Sequence, residues 1–372
     1  MPKIYSSLAC NLDTDIVAAA LPLLEESKVE ALEWSFDTLF SVKTIPEWYL
    51  NLLRAFSNEN RLIGHGVFFS LLSGKWSEQQ QNWLNHLKQV AGEFNFDHVT
   101  EHFGFMTGEN FHHGAPLSIP YTQATLSIGR DRLMRIQDAC RCPVGIENLA
   151  FSYSLEEVKQ HGGFLGQLIE PINGFIILDL HNLYCQIHNF NLEYDDIIKF
   201  YPLNKVREIH ISGGSWEDSK LGPLKKVRRD THDSAVPLEV FELLEATIDI
   251  CPNLKFVVFE QLGTGLKSQQ SKAIFYDDFL KMDKIIKSKN QSLKNPDNSF
   301  LSPPVHVQNI AIEDEKLYQQ QLELSYILEN ATSYEDAKKL LGASSLAFSE
   351  WNIEKWEPYM LETALNIARK WK

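Results

Sequence analysis

Seven short segments of this sequence each end in side chains that can bind a metal ion. The segments are Leu62–His65, Val99–His102, Val144–Asn148, Ile176–Asp179, Ile209–His210, Asp230–His232 and Phe256–Glu260. The residues before the ligands are apolar in every segment except Asp230–His232, which follows the basic run Lys225–Arg229. Imidazole and carboxylate ligands without thiolates suit iron, manganese or zinc. If the segments are strands that end at one edge of a sheet, these side chains converge on a metal site.

The carboxylates among these residues are the strongest indication of a metal site. Glu147, Asp179 and Glu260 follow apolar runs, and burying an unpaired carboxylate costs several kcal/mol. Apart from Arg207, few basic residues lie near the predicted strand ends. The remaining candidate ligands are Asp230, His65, His102, His210 and His232. Together these residues fit two or three divalent ions, with Glu147 or Glu260 as the natural bridging carboxylate.

Local spacing adds further candidates. Residues i and i+2 of an extended segment point the same way, so Asp230 and His232 can bind one ion together. The same spacing holds for Asp179 and His181, with Asn182 as a competing ligand. Asn148 could bind the metal weakly or orient a substrate. A single histidine on a strand is more often a hydrogen-bonded core residue than a ligand. The prediction of a metal site therefore depends on the whole set of candidate ligands.

The elements that must position these residues alternate between strand and helix. Some strands, such as Phe175–Leu178, are continuous apolar runs typical of parallel strands covered on both faces. The predicted strands are Ile4–Cys10, Ala31–Phe36, Leu62–Phe69, His98–Phe105, Val144–Asn148, Phe175–Leu180, Val206–Ser212 and Lys255–Glu260. The helical patterns between them include Asp15–Lys28, Ser77–Phe94, Gln123–Ala139, Leu155–Ile169 and Leu238–Ile250.

Eight strand–helix units predict an α/β fold of the (β/α)8 TIM-barrel type. A doubly wound open sheet is the alternative, but the first strand–helix turn has no Gly-rich phosphate loop. All strands of a TIM barrel end at the face that carries the active site, and the candidate ligands occupy those ends. His86, His161 and His306 are expected at the surface. His112 and His113 lie in a long loop that is either a plain surface loop or a lid.

Three regions are predicted along the chain. Residues 1–286 form the metal-binding catalytic barrel, and the polar, turn-rich residues 287–309 form a linker. Residues 310–372 form a helical extension or a small module, in which Ser333 is a candidate helix N-cap. Its aromatic residues, among them Trp351 and Trp356, either pack on the barrel or bind a partner or peptide.

Composition limits the partners. The formal net charge of −14 disfavours nucleic acid, because an acidic surface repels phosphate. The basic run Lys225–Arg229 is either a solvated loop or a holder for an anionic group near the site. Nothing approaches the about 20 apolar residues that span a bilayer, and the N-terminus lacks signal-peptide features. We therefore expect a cytoplasmic protein that does not bind membranes, and five scattered cysteines indicate no disulfide framework.

The motifs taken in order resemble a known family. They are Gly64–Gly66, Thr100–His102, Glu147–Asn148, Leu178–Asn182, Glu208–His210, Asp230–His232 and Glu260. This set is similar to that of the multinuclear non-haem iron-dependent oxidative enzymes, formerly a domain of unknown function (family 692), within the xylose-isomerase-like barrel superfamily. Asn182 stands where the similar three-zinc endonuclease IV barrels have histidine, and His181 stands where the oxidative family usually has asparagine. Both departures leave the number of ions at two or three.

The resemblance covers about residues 1–285 and implies oxidative chemistry on a ribosomally synthesised peptide, usually at cysteine. It implies two or three iron ions, with zinc or manganese as alternatives, and dioxygen as oxidant. A substrate thiolate would bind iron and a C–H bond beside sulfur would break. The expected metal ligands are the eight named above together with His181, and the expected catalytic residues are Glu101, Asn148 and Asn182. The peptide substrate could arrive with a partner recognition protein.

Two other classes of function stay open. The same barrel with divalent ions as Lewis acids could be a sugar isomerase or epimerase, or a phosphodiesterase or nuclease. The acidic surface argues against DNA as a substrate. A non-catalytic binding protein on a degenerate barrel is the third alternative, and the near-complete ligand set argues against it.

Overall fold

The fold is built on twelve described strands, eight of which close into one barrel. The structure is a computed structural model that describes residues 3–107, 116–223, 225–290 and 300–370. The strands are β1 Tyr5–Ala9, β2 Ala31–Trp34, β3 Leu62–Gly66, β4 Phe96–His102, β5 Phe105–Met106, β6 Pro116–Leu117, β7 Val144–Glu147, β8 Phe175–Asp179, β9 Val206–Ile211, β10 Trp216–Asp218, β11 Lys226–Arg228 and β12 Phe256–Phe259. The closed barrel has the order β1-β12-β9-β8-β7-β4-β3-β2 with all strands parallel, and β5–β6 and β10–β11 form small hairpins.

Helices follow most of the barrel strands. They are α1 Thr14–Glu25, α2 Glu47–Asn58, α3 Glu78–Glu93, α4 Gln123–Cys140, α5 Leu155–Ile169, α6 Leu180–Phe190, α7 Tyr194–Ile197, α8 Leu238–Ile248, α9 Gln269–Asn290, α10 Glu315–Asn330, α11 Tyr334–Gly342 and α12 Pro358–Lys370. The predicted (β/α)8 barrel with a helical C-terminal region is confirmed, and the open sheet is excluded by the closed strand order.

Several strands end earlier than predicted because the backbone groups that follow them bond to polar side chains or enter the next helix. The N–H groups of Val67 and Phe68 donate to the carboxylate of Asp37, at 2.8 and 2.9 Å, so β3 stops at Gly66. Strand β8 stops at Asp179 because α6 begins at the next residue. The barrel strands therefore end at the residues that carry the candidate ligands or within one position of them.

The strand registers bring ligands of neighbouring strands side by side. His102 at the end of β4 pairs with Glu147 at the end of β7. Asp179 at the end of β8 pairs with His210 on β9. Because alternate side chains of a strand face the same side, these four side chains all enter the barrel interior. An apolar layer formed by Ala31, Ile63, Phe256 and Val258 lies below them.

Residues 300–314, which we call the strap, cross the barrel from one end to the other. Phe300 packs on Phe175 at the start of β8, with 5.7 Å between ring centroids. The strap then follows α4, whose side chains donate to its backbone carbonyls. These bonds are Gln137 to Pro303 at 2.8 Å, Arg135 to Gln308 at 2.9 Å and Arg132 to Ile312 at 2.9 Å. Residues 300–309 of the predicted linker are thus anchored to α4, whereas its first residues, 287–290, belong to α9 and not to a linker.

Helices α10 to α12, which follow the strap, lie over the C-terminal ends of the barrel strands. Gln321 bonds to Leu72 in the loop after β3, and Trp351 packs edge-on against Phe105 after β4. Glu362 accepts from Ser219 in the loop after β9, at 2.7 Å. The extension therefore packs on the barrel, on the face that carries the candidate ligands.

The cap predicted within the extension is confirmed. The Ser333 side chain accepts a hydrogen bond from the backbone N–H of Asp336 at the start of α11. None of the described helices combines the length and the apolar character that crossing a membrane requires.

The ring stack between Trp356 and Tyr153 is the tightest aromatic contact between extension and barrel, with centroids 3.7 Å apart. Trp356 is 8% exposed and donates through Nε1 to the carbonyl of Trp351. We expect Trp356→Ala to lower the free energy of unfolding by about 3–5 kcal/mol, measured by chemical denaturation. The control Trp48→Ala removes a ring that is 51% exposed and should change it by less than about 0.5 kcal/mol. Equal effects of the two substitutions would contradict the docking described here.

Candidate metal centre

One carboxylate and two imidazoles meet at the ends of β3, β4 and β7. Glu147 Oε2 lies 3.5 Å from His65 Nε2 and 3.3 Å from His102 Nε2. The Glu147 and His65 side chains are buried, whereas that of His102 is 29% exposed. These three residues form one group whose ligand atoms are close enough to share an ion.

The hydrogen bonds on the far side of each ring fix its tautomer. His102 Nδ1 lies 3.1 Å from the carbonyl oxygen of Gly66, which can only accept, so Nδ1 carries the proton. His65 Nδ1 lies 2.7 Å from the Thr100 hydroxyl. That hydroxyl donates to the carbonyl of Gly64, so it accepts from the imidazole. Both Nε2 atoms therefore turn a lone pair toward the carboxylate.

Burial keeps these two rings neutral. It lowers the pKa of His65 well below the ordinary value, with the neighbouring His102 acting in the same direction. Burial also lowers the pKa of His102, and the charge of Glu260 opposes that shift. Two imidazole lone pairs face a buried carboxylate oxygen that has no hydrogen-bond partner among the described residues. This donor set fits a metal ion.

A second group shares Glu147 with the first. It joins Glu147, Asp179 and His210, and a third group joins His210 with Glu33 and Glu260. His210 Nδ1 lies 3.2 Å from Glu260 Oε2 and 3.9 Å from Glu147 Oε1. Within the described chain, Asp179 Oδ2 and His210 Nδ1 are buried without a hydrogen-bond partner. The groups overlap, as expected of adjacent ions joined by a common carboxylate.

Asp179 has two separate tasks. Its Oδ1 accepts from the N–H of Asn182 at 2.6 Å and caps α6, which leaves Oδ2 toward the interior. Burial, followed by the charge of Asp230, raises the pKa of Asp179 to about 7. The extended i, i+2 spacing predicted for Asp179 and His181 does not exist, because the helix begins at Leu180. His181 therefore turns away from Asp179.

Asp230 and His232 approach each other beside Glu260. His232 Nε2 lies 3.0 Å from Asp230 Oδ1, and His232 Nδ1 lies 3.6 Å from Glu260 Oε2. The backbone of His232 has φ = 51°, in the left-handed region, rather than the extended conformation expected from sequence. The structure thus brings the two residues together by a turn of the chain.

The two arginines of the basic run before Asp230 contact other parts of the protein. Arg228 is buried, with its guanidinium 5.0 Å from the Trp216 ring and 5.6 Å from the Tyr184 ring. Its Nε donates to His181 Nε2 at 3.1 Å, and Arg229 pairs with Glu217. These two arginines are committed to protein partners.

The three predicted catalytic residues occupy different surroundings. Asn182 Nδ2 bonds to the carbonyl of Asn148 at 2.8 Å and lies 3.4 Å from Glu147 Oε1, so it orients that carboxylate. The side-chain oxygen and nitrogen of Asn148 both bond to the backbone of Asp179, at 2.6 and 3.2 Å. Asn148 therefore ties β7 to β8 rather than facing a substrate.

Glu101 points away from the centre. It follows Thr100 and precedes His102, both of which face inward, and adjacent residues of a strand face opposite sides. Its Oε1 accepts from the backbone N–H of Phe69 at 3.2 Å, and burial followed by the charge of Asp37 raises its pKa well above the ordinary value. Glu101 therefore does not face the candidate metal centre, and its catalytic role stays a prediction.

Sequence reasoning missed a buried string of charged residues below the centre. His210 Nε2 donates to Glu208 Oε1 at 2.6 Å. The other oxygen of Glu208 accepts from His98, whose Nδ1 lies 2.9 Å from Asp97. Asp97 pairs with Arg207 at 2.7 Å. All five side chains are at most 7% exposed. The i, i+2 spacing of Glu208 and His210 on one strand was the available signal.

Glu33 was also missed. Its Oε2 lies 3.2 Å from His210 Nε2, its side chain is fully buried, and burial raises its pKa well above the ordinary value. His210 responds to this surrounding charge. Burial lowers its pKa, but the carboxylates of Glu260 and Glu33 raise it well above the ordinary value.

The other histidines divide as follows. His86 and His306 are exposed as predicted, but His161 is only 1% exposed, so the prediction of a surface position is wrong. Its Nε2 accepts from the backbone N–H of Leu149 at 3.0 Å, and its Nδ1 bonds to the Tyr121 hydroxyl at 2.9 Å. His112 and His113 lie outside the described residues.

Comparison with known proteins identifies the family. A family model described as the RiPP precursor modification enzyme MbnB/TglH/ChrH matches residues 23–261. The matched range contains every candidate ligand from His65 to Glu260. The chain belongs to this family. Membership confirms the resemblance inferred from the motifs, and it implies an enzyme that acts on a ribosomally synthesised peptide precursor. The extension after residue 300 lies outside the match to the MbnB/TglH/ChrH family.

Two relatives and one solved structure show how similar the chain is to individual proteins. A UPF0276 protein of Acaryochloris marina is 28% identical over 211 residues, which are 55% of this chain and 70% of the relative. One from Caulobacter vibrioides is 25% identical over 184 residues, 49% of this chain and 62% of the relative. Among solved structures, a xylose isomerase domain protein of Planctomyces limnophilus has a TM-score of 0.52 at 13% identity and covers 78% of this chain and 100% of its own. That similarity shows a xylose-isomerase-like TIM barrel.

The string below the centre generates a prediction about metal affinity. In Glu208→Gln a neutral amide replaces the carboxylate that accepts from His210 Nε2, so the ring is held less firmly with Nδ1 toward a metal ion. We expect the affinity for Zn²⁺ to fall by about 10–100-fold, measured by competition with a chelator. Glu47→Gln, at a carboxylate that is 72% exposed, is the matched control. Unchanged affinity in Glu208→Gln would show that the string does not orient His210.

Proposed function

We propose that this protein is a multinuclear iron-dependent oxidase that uses dioxygen to modify a ribosomally synthesised peptide, at a cysteine residue. One observation carries the proposal: the ligand groups at the strand ends overlap at Glu147 and His210. Such overlap suits adjacent ions better than a single ion. Family membership supports the peptide as substrate class, and the ligand chemistry supports iron.

We assign the ligands by proximity. His65, His102 and Glu147 would hold one ion, and Glu147, Asp179, His210 and Glu260 would hold a second. Asp230 and His232 would contribute to a third. Their residue types fit the assignment, because each offers an imidazole nitrogen or a carboxylate oxygen and none offers a thiolate.

One side of the centre is open. The side chains of His102, Asp230 and His232 are 29%, 22% and 22% exposed, whereas those of Asp179 and His210 are fully buried. Among the described residues, the exposed ligands mark the side from which a peptide can approach. This side faces the loops after the barrel strands, where active sites of TIM barrels lie.

Bound iron would supply one-electron redox steps that amino-acid side chains cannot perform. The protein's contribution is to fix its ligands before any metal binds. The tautomers of His65 and His102 are set by the Thr100 hydroxyl and the Gly66 carbonyl. Asn182 orients Glu147. Because these ligands are held in place beforehand, they lose little conformational entropy when an ion binds, and this raises the affinity for metal ions.

The decisive experiment measures metal content and oxygen uptake together. We expect anaerobically purified protein to contain more than one iron per chain and to consume dioxygen with a cysteine-containing peptide. His102→Ala and Asp230→Ala should each lose bound iron. Their oxygen uptake should fall by more than about 100-fold, because removing a residue that only supports a ligand already costs about 10–100-fold. His86→Ala, at an exposed position on α3, is the control and should retain both properties.

Two results would count against this function. Protein that binds only zinc and consumes no dioxygen after reconstitution with Fe²⁺ would exclude the oxidase. Turnover of a ketose or of abasic-site DNA with a redox-inactive divalent ion would instead indicate Lewis-acid chemistry on the same barrel. An iron-loaded protein that consumes dioxygen only with peptide would support the proposal.

A further inference from the structure

His181 has a protein partner at both ring nitrogens. Its Nδ1 lies 3.0 Å from Asp230 Oδ1, and its Nε2 lies 3.1 Å from Arg228 Nε. The side chain is fully buried at the first turn of α6. The two contacts place the imidazole between a guanidinium and a carboxylate, in a line that ends at a proposed metal ligand.

The chemistry of arginine fixes the tautomer of this ring. The guanidinium has only N–H donors and no acceptor, so Nε2 of His181 must accept and keeps its lone pair for Arg228. The ring proton then lies on Nδ1 and is donated to Asp230. Neither nitrogen of His181 has a lone pair directed toward the metal centre.

The surroundings hold the ring and the guanidinium in these positions. A Cβ at Gly214 would lie 2.7 Å from His181 Cε1, so the ring packs closely on a backbone without a side chain. Arg228 is fixed through its backbone, because its N–H donates to Asn189 Oδ1 at 2.8 Å and its carbonyl accepts from Asn189 Nδ2 at 3.0 Å. Its guanidinium also contacts two aromatic rings. A rotation of His181 toward the centre would break its hydrogen bonds to Arg228 and Asp230 and its packing on Gly214.

We propose that His181 is a positioning residue that holds Asp230, and that it is not a metal ligand. This inference rests on the proposed metal centre and refines it, and it replaces the assignment made from sequence. The carboxylate of Asp230 is fixed on one side by His181, so its remaining lone pairs are directed at His232 and the centre. Arg228 is the outer member of the same line and keeps His181 in the required tautomer.

The experiment counts metal ions per chain in the full-length protein, with Zn²⁺ and with Fe²⁺ separately, by elemental analysis after anaerobic reconstitution. We expect His181→Asn to bind as many ions as the unaltered protein, with affinity reduced by about 10–100-fold. Asp230→Ala should lose about one ion. His188→Asn, on the same helix with its ring against Trp216, is the matched control and should match the unaltered protein in count and affinity. A loss of one ion in His181→Asn would overturn the inference.

A spectroscopic test on the unaltered protein needs no variant and therefore does not depend on whether a variant folds. In the ¹⁵N spectrum of the imidazole nitrogens of the unaltered protein, we expect His181 to show a protonated Nδ1 and a bare Nε2. This pattern should persist when Zn²⁺ is added, whereas the signals of His65 and His102 should shift. A shift of His181 Nδ1 to the position of a metal-bound nitrogen would overturn the inference. Absence of any bound metal in the unaltered protein would instead overturn the proposed function.

Discussion

A closed barrel interior that holds several carboxylates can be stable only if each negative charge meets a positive charge or a metal ion. In this protein the requirement is met in two layers. In the lower layer Arg207 and Lys255 pair with Asp97, and His98 links that carboxylate to Glu208. In the upper layer Glu147, Asp179 and Glu260 have no arginine or lysine beside them among the described ion pairs. The lone pairs of His65 and His102 face Glu147, and His210 and His232 lie beside Glu260.

This difference between the layers explains the rest of the site. Cations of the protein neutralise the charges that hold the proposed ligands, whereas the proposed ligands themselves have only imidazoles beside them among the described ion pairs. Each ligand has a support on its far side: a carbonyl for His102, a carboxylate for His210 and an imidazole for Asp230. The supports fix tautomers and rotamers, so the geometry of the centre is a property of the barrel and of the loops after its strands.

The sequence was sufficient to predict the barrel and the residues that converge in it, because strand alternation and the cost of a buried carboxylate are local rules. His102 and Glu147 met as expected for that reason. Glu33 and His98 were not recognised, because a single polar residue inside an apolar strand does not reveal what it faces across the barrel. His181 lies in a helix that begins one residue before it rather than in an extended segment, and Glu101 points away from His102's side of the strand because adjacent strand residues face opposite sides. The docking of the extension depends on contacts between residues far apart in sequence, which no local pattern encodes.

The strap has a consequence for how the molecule opens. Its first residue packs at the start of β8, its middle is bonded to α4, and its last residue bonds to the loop after β3, where the N–H of Asp314 donates to the carbonyl of Gly74 at 2.8 Å. Local opening of a protein proceeds in contiguous cooperative units. A segment attached at both ends of the barrel joins the extension, α4 and the lower rim into one such unit. Release of residues 300–314 should therefore require α4 and the loop after β3 to open with them, and the amide of Asp314, which donates to Gly74, should exchange slowly.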